Sequence, residues 1–383
     1  MVVLVGGTVV DADGSRVADV AVEDGRIVAV GDDVDAPGAE LDVSGRFVTP
    51  GLVDAHVHLG LDGRPDIATL QLENTYDGAY RAAANLEAAL EAGVTTVRDL
   101  GARGTMAIDA ARAVDAGVVA GPRVVASGEV ITMTGGHSHW LGREADGADN
   151  VRAAAREQLK RGAEVVKCMA TGGVLTEGTR TGVPELTREE LAAAAAVAHA
   201  AGRTAAAHAH GREGIENAVE AGFDSVEHGT FMDRDVATRM AERGTYWVPT
   251  ANAVHGICDA GAEGGIPAET VAKADAALEA FDDAFDHALA ADVPIAMGTD
   301  AGTPFNEFSE IPRELVRLVD HGLTPAAALE AATVGSASLL GFDDLGLVRE
   351  GYRADLLVLE NDPLEDPSAW QHVDRVLSDG RLV

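Results

Sequence analysis

Pro50-Gly51-Leu52-Val53-Asp54-Ala55-His56-Val57-His58 is a short apolar run that ends in two imidazoles. In extended backbone, residues i and i+2 share a face. His56 and His58 therefore point the same way and can reach one metal ion together. Seven further apolar or β-branched runs follow, at 95–99, 123–127, 164–169, 204–208, 225–228, 246–250 and 294–299. Between them lie alanine-rich helical stretches such as 79–92, 106–116, 150–161, 188–201 and 212–221. Thr187 with Glu190 has the pattern of a capping box, and Thr324-Pro325 sets a capping residue before proline at the first helical position. Gly93, Gly117, Gly162, Gly202 and Gly222 stand where helices should end. Eight strands alternating with helices predict a (β/α)8 TIM barrel over residues 52–348. A doubly wound open sheet is the alternative. No Gly-rich phosphate loop follows the first strand, which weakens its dinucleotide-binding version.

The two ends have a different rhythm. Strand-like runs at 2–5, 8–10, 20–22 and 27–30 are separated by Asp13-Gly14 and Asp24-Gly25 turns. Runs at 355–359 and 375–377, with Asp379-Gly380, repeat the pattern. Residues 1–51 plus 349–383 are thus expected to meet as a small composite β-sandwich. The stretch 252–267 has few strong helix formers and three glycines after Gly256. It reads as a loop after strand seven, either a mobile lid or plain surface.

The formal net charge is −34. Such a surface repels nucleic acid and anionic membranes. The acids are scattered, so the charge reads as a solvation device for a salt-rich cytoplasm. Two cysteines, Cys168 and Cys258, make no disulfide framework. No signal-peptide pattern and no membrane-length apolar run occurs, and the expected location is the cytoplasm. A homo-oligomer remains open.

Barrel enzymes carry their chemistry at the C-terminal ends of the strands. By that rule His56 and His58, Lys167, His208, His228 and Asp300 all fall at or just after a strand end. Each has a bland reading taken alone: a hydrogen-bonded core histidine, a snorkelling lysine, a turn-capping aspartate. Lysine occurs only at 160, 167 and 273, so Lys167 inside an apolar strand stands out.

Taken together, the motif at 50–58, Lys167, His208, Glu227-His228-Gly229 and Gly298-Thr299-Asp300 resemble the amidohydrolase superfamily. The tail at 351–356 and 361–364 is similar to that family's closing strands. Within it, Val-Val-Lys-Cys-Met-Ala-Thr-Gly-Gly at 165–173, Thr96-Val97-Arg98-Asp99-Leu100-Gly101 and Gly135-Gly136-His137 resemble the branch of prolidase-like dipeptidases and ochratoxin amidase. The resemblance implies two divalent ions, with zinc fitting nitrogen and carboxylate donors and manganese or cobalt able to serve. It implies that His56, His58 and Asp300 bind one ion and His208 and His228 the other. Lys167, carboxylated by CO2, would bridge them. Two cations would supply a readily deprotonated bridging water, with Asp300 as general base and then acid.

The implied substrate is a small linear amide, a dipeptide or N-acyl amino acid with a free carboxylate. His137 is expected to polarise its carbonyl. His139, Arg180 and His255 are further candidates for substrate contact. His210 is a further candidate for substrate contact, at a position where relatives of this branch often carry tyrosine. A cyclic-amide hydrolase or deaminase on the same scaffold is the first alternative, although a one-metal deaminase would lack Lys167. A non-catalytic metal-binding barrel is the second. The charge leads to one prediction. Urea or heat should unfold the protein less readily as KCl rises, because the ions screen self-repulsion; flat stability across the KCl series would contradict it.

Overall fold

The computed structural model describes residues 1–383, apart from the side chains of residues 68 and 71. Its centre is α/β. Parallel strands run at Leu52–Val57, Val94–Asp99, Arg123–Ala126, Val165–Met169, Thr204–Ala209, Ser225–His228 and Tyr246–Val248, all close to the expected runs. Successive strands pair in parallel, and long helices lie between most of them. The third position is broken. Gly128, at φ +71°, turns the chain into a second short strand, Val130–Thr132. That strand meets the fourth at Ile131 and Cys168, and Glu164 N donates to Ala126 O at 2.8 Å.

The eighth run, at 294–299, does not form the regular strand expected. Pro294 lacks an N–H, and at Gly298 a Cβ would come within 2.8 Å of His56 Cβ. The segment nevertheless bonds to both neighbours. Trp247 N donates to Pro294 O at 2.8 Å, and Ala296 N to Trp247 O at 3.0 Å. On the other side Ala55 N donates to Met297 O at 2.8 Å and Asp300 N to His56 O at 2.7 Å. Met297 also bonds to a helix. Residues 331–335 widen into a π turn, which exposes the Ala331 carbonyl to Met297 N at 3.0 Å. Ser336 Oγ then donates to Met297 O at 3.1 Å.

The helix signals are seen at the expected places. Thr187 and Glu190 form a reciprocal capping box, and Thr324 accepts from Ala327 N. Small residues let these helices sit close on the strands. Ala154, Ala194, Ala198, Ala218 and Ala237 are all buried in the main apolar cluster.

The two ends of the chain share one sheet. Its order is Arg381–Leu382, Val373–Ser378, Leu356–Leu359, Phe47–Pro50, Thr8–Asp11, Gly14–Val17. A four-stranded sheet, ordered Arg26–Gly31, Asp19–Glu23, Val2–Val5, Ala39–Asp42, faces it. Leu4, Val20 and Ile27 from one meet Val9, Val48, Leu356 and Val358 from the other in a single apolar cluster. Arg123 joins this unit to the parallel strands, donating to Asp355 and Asp379 at 3.0 and 2.9 Å. Among the described residues no helix is long and apolar enough to cross a membrane.

The stretch 252–267 is not the loop expected. Ala251–Ala260 is an α-helix, followed by a short 3-10 turn at Ala262–Gly264. Its first turn is held by a distant residue. The buried Glu314 carboxylate accepts from Ala251 N and Asn252 N, both at 2.7 Å. Such bonds satisfy donors that every helix start leaves open. Glu314→Ala would leave two buried N–H groups unpaired, at about 1–3 kcal/mol each. We expect urea melts to show a loss of about 2–6 kcal/mol by that reckoning, with Glu314→Gln losing distinctly less. A Glu314→Ala variant as stable as the parent would remove this role.

Candidate metal centre

His56 and His58 leave the first strand toward Asp300, which ends the segment after strand seven. Asp300 Oδ1 lies 3.1 Å from His58 Nε2 and 3.4 Å from His56 Nε2. Both imidazoles are oriented from behind. His58 Nδ1 donates to Gly101 O at 2.9 Å, and His56 Nδ1 donates to Glu227 Oε2 at 2.9 Å. Each Nε2 is thereby turned toward Asp300. Asp54, unused in the sequence reading, accepts from His56 N, Thr299 N and Thr299 Oγ1, which ties the two segments together.

A second cluster stands beside the first. One donor atom each from His208, His210 and His228 falls within 4.8 Å of the others, as one each from His56, His58 and Asp300 does. His228 Nδ1 is 2.7 Å from Thr250 Oγ1. That hydroxyl donates to Pro249 O at 2.6 Å, so it accepts from the imidazole. His210 Nδ1 is 2.8 Å from Thr230 Oγ1. His228, Thr250 and Asp300 have φ of +67°, +60° and +60°. Three consecutive strand ends thus sit in a region that non-glycine residues rarely occupy.

Lys167 is 1% exposed and its Nζ has no hydrogen-bond partner. His208 Nε2 and His137 Nδ1 likewise lack one, and all three residues line one cleft. A buried polar atom without a partner costs about 1–3 kcal/mol, so several converging in one place mark atoms kept for something else. Nitrogen and carboxylate donors are what zinc and related divalent ions take. The protonation states agree. Burial holds His56 down at about 4, His210 at about 4 and His137 at about 3, and pushes His208 and His228 well below the ordinary range. These imidazoles are neutral near pH 7, the form that binds metal. Burial also lowers Lys167, to about 8. His58 rises instead, because the Asp300 carboxylate outweighs its burial. Asp300 falls despite burial, because His56 and His58 stabilise its charge.

Beneath the histidines lies a buried ion pair that the sequence reading missed. Arg98 and Glu227 are both 0% exposed. Arg98 Nη2 is 3.1 Å from Glu227 Oε1, and its Nε donates to Ala55 O. Burial alone would raise Glu227, but Arg98 and the His56 hydrogen bond overcome it and hold the carboxyl at about 2. An arginine inside the apolar run 94–99 was the available signal.

The cleft above the clusters is lined by apolar side chains, including Leu61, Trp140, Leu141, Val174, Val254 and Ile257. His137 enters it, with its ring stacked 4.4 Å from that of His208. Gly173 makes room, since a Cβ there would meet His137 Nε2 at 2.4 Å. The remaining candidates are not brought into this cleft. His139 turns into an outer cavity beside Trp140, its Nδ1 3.1 Å from Gly136 O. Arg180 is exposed, on a loop that folds back so that Gly182 packs on the Gly211 backbone. His255 lies on the far side of its helix, 2.9 Å from Arg317 Nη1 and 3.1 Å from His321 Nε2.

The family profile described as "Amidohydrolase family" matches residues 47–383. An ochratoxinase of Aspergillus niger is 30% identical over 419 aligned positions, covering 99% of this chain and 86% of the relative. Its crystal structure superposes with a TM-score of 0.88, at 31% identity, over 100% of this chain and 95% of that one. The crystal structure of a Xaa-Pro dipeptidase with methionine bound in its active site gives 0.94 at 32% identity, over 100% and 99% of the two chains.

The geometry predicts the effect of losing the charge behind His56. Glu227→Gln should weaken divalent-metal binding about 10–100-fold, read by competition with a chromogenic chelator. It should also cost about 3–5 kcal/mol in urea melts, since Arg98 would be left buried and unpaired. A variant matching the parent on both would refute the role.

Proposed function

The chain belongs to the amidohydrolase family and is a hydrolase of amide C–N bonds, and from that premise we propose that it cleaves linear amides, dipeptides or N-acyl amino acids, with two divalent ions held at its strand ends. The observation that carries this reading is the convergence of His56, His58, Asp300, Lys167, His208 and His228 on one cleft. The parallel pairings, and the bonds that segment 294–301 makes to the first and seventh strands, support a closed (β/α)8 barrel at residues 52–348. Residues 1–51 plus 349–383 would form the appended β domain. Zinc is the proposed metal, and a CO2-carboxylated Lys167 the proposed bridge; burial lowers the unpartnered amine and so raises the fraction in the neutral form that can take up CO2.

Bound ions would supply an easily deprotonated water and an electrophile for the substrate carbonyl. The chain's own groups do the rest. Asp300 is ionised and has an oxygen facing the cleft, so it takes the proton as water adds to the amide carbon. His137 is neutral and donates to the carbonyl oxygen as negative charge gathers there. Asp300 then gives its proton to the departing nitrogen, and the C–N bond breaks. The apolar walls keep bulk water from the site and suit an apolar group on the substrate. Lys167 is the only lysine or arginine among the cleft residues, so a substrate carboxylate would be met by imidazole or backbone N–H.

Two measurements test the reading. Asp300→Asn should lower kcat about 100- to 10,000-fold, the usual worth of a general base. Asparagine tolerates the left-handed backbone, so this variant keeps the local fold. A panel of dipeptides, N-acyl amino acids and cyclic amides, assayed with added zinc, should be turned over in its first two classes. Turnover of cyclic amides alone would overturn the linear-amide proposal.

A further inference from the structure

Trp140 stands where three spaces meet. It lines the cleft above the clusters, a cavity beside the helix Thr75–Glu91, and the outer cavity into which His139 turns. Among the described residues, Leu61, Trp140 and Leu141 alone line both the cleft and the cavity beside that helix, so they form the partition between the two. Leu61 and Leu141 are buried, with Leu61 N donating to His58 O at 3.0 Å and Leu141 N to Ser138 O at 2.8 Å. Trp140 is the largest of the three and is partly exposed. Its backbone is pinned from two sides. Arg103 Nε donates to its carbonyl at 3.4 Å, and two residues earlier Ser138 N donates to Thr176 Oγ1 at 3.0 Å. His137, three residues before Trp140, enters the same cleft from the same loop. The cavity behind the indole suits apolar contents. Leu70 and Met106 line it, and its charged edge is matched, with Arg81 paired to Asp62 and Glu73 at 2.9 and 2.5 Å.

We propose that Trp140 is a specificity-determining residue: its indole limits the bulk of the apolar group beside the scissile bond, and the cavity behind it is a closed-off subsite that admits a large aromatic group once the indole is cut back. This rests on the amide-hydrolase reading above and adds a substrate class to it, amides whose flanking group is closer in size to isobutyl than to naphthyl. An indole has no acceptor and does not titrate, so its effect is on fit. Cutting back an apolar wall removes contact with a small group and makes room for a large one. A single methylene in such a pocket changes kcat/KM about 10–200-fold, and an indole is many times larger.

Substrates that differ only in bulk test this on the whole, metal-loaded chain. N-acetyl-leucine is compared with N-(2-naphthoyl)-leucine for the acyl side, and with N-acetyl-2-naphthylalanine for the amine side. Trp140→Ala should raise the large-to-small ratio of kcat/KM about 10-fold or more on one side, and the loss with N-acetyl-leucine should appear in KM rather than kcat. Trp140→Phe, which keeps an aromatic wall, should stay within a few-fold of the parent. Ratios unchanged on both sides, in a Trp140→Ala protein with the parent's metal content and urea melt, would overturn the proposal. A second measurement does not depend on that variant folding. Of the three tryptophans, Trp247 and Trp370 are 0% and 1% exposed, so Trp140 is the one whose emission a cleft ligand can reach. N-acetyl-leucine added to Asp300→Asn should shift that emission, and adding Trp140→Phe should abolish the shift. Binding seen by equilibrium dialysis with no change in emission would count against the wall. Turnover of cyclic amides alone would remove the linear-amide reading, and the same ratio, taken between isobutyl- and naphthylmethyl-hydantoin, would still decide the role of Trp140.

Discussion

One buried carboxylate governs the site. Glu227 takes a hydrogen bond from His56, an ion pair from Arg98 and a 2.5 Å bond from Ser225 Oγ. Arg98 in turn holds the Ala55 carbonyl, so strands one, two and six are tied through one charged group. Taking two charges out of water costs several kcal/mol each, and only close pairing with every lone pair met can offset it. The number of bonds here meets that condition. An apolar filling could make a more stable interior, but it could not fix which nitrogen of His56 faces the cleft.

Above this pair the strand ends are bent against their preference. His228, Thr250 and Asp300 all adopt left-handed backbone, which costs of order 1–3 kcal/mol each. Each is held by its surroundings. Trp247 Nε1 donates to His228 O, and Asp300 N donates to His56 O. Just after Thr250, the Glu314 carboxylate anchors the next two amides. The same bends aim His228 and Asp300 inward and bring the Thr250 hydroxyl behind His228. Strain and orientation are one feature, and the interior bonding sustains both.

Much of this was legible in the residues. Strands with period 2, helices with cap residues and glycine stops carry local signals, and the parallel strands lie where those signals put them. His56, His58, Lys167, His208, His228 and Asp300 could be picked out because position at a strand end is itself a local property. What failed was set by distant partners. The 251–260 helix is capped by a residue more than 60 positions away, so its weak propensity misled. Segment 294–301 is held at Met297 by a π turn that no short pattern announces. Arg180 and His255 were chosen for chemistry on loops, but side-chain direction there is decided by packing against Gly211 and Arg317. His210 was read as a substrate contact from the sequence, and it does line the cleft, among the other imidazoles.

The shared terminal sheet has a consequence for how the chain is made. The strand Phe47–Pro50 lies between Thr8–Asp11 and Leu356–Leu359, with Val48 opposite Val358. One edge of that strand therefore gains its partner only after roughly 300 further residues have left the ribosome, about 15–60 s at 5–20 residues per second. During that wait an apolar strand edge is open to any other nascent chain. The late arrival of residues 356–359 closes it, so a strand made late shelters one made early.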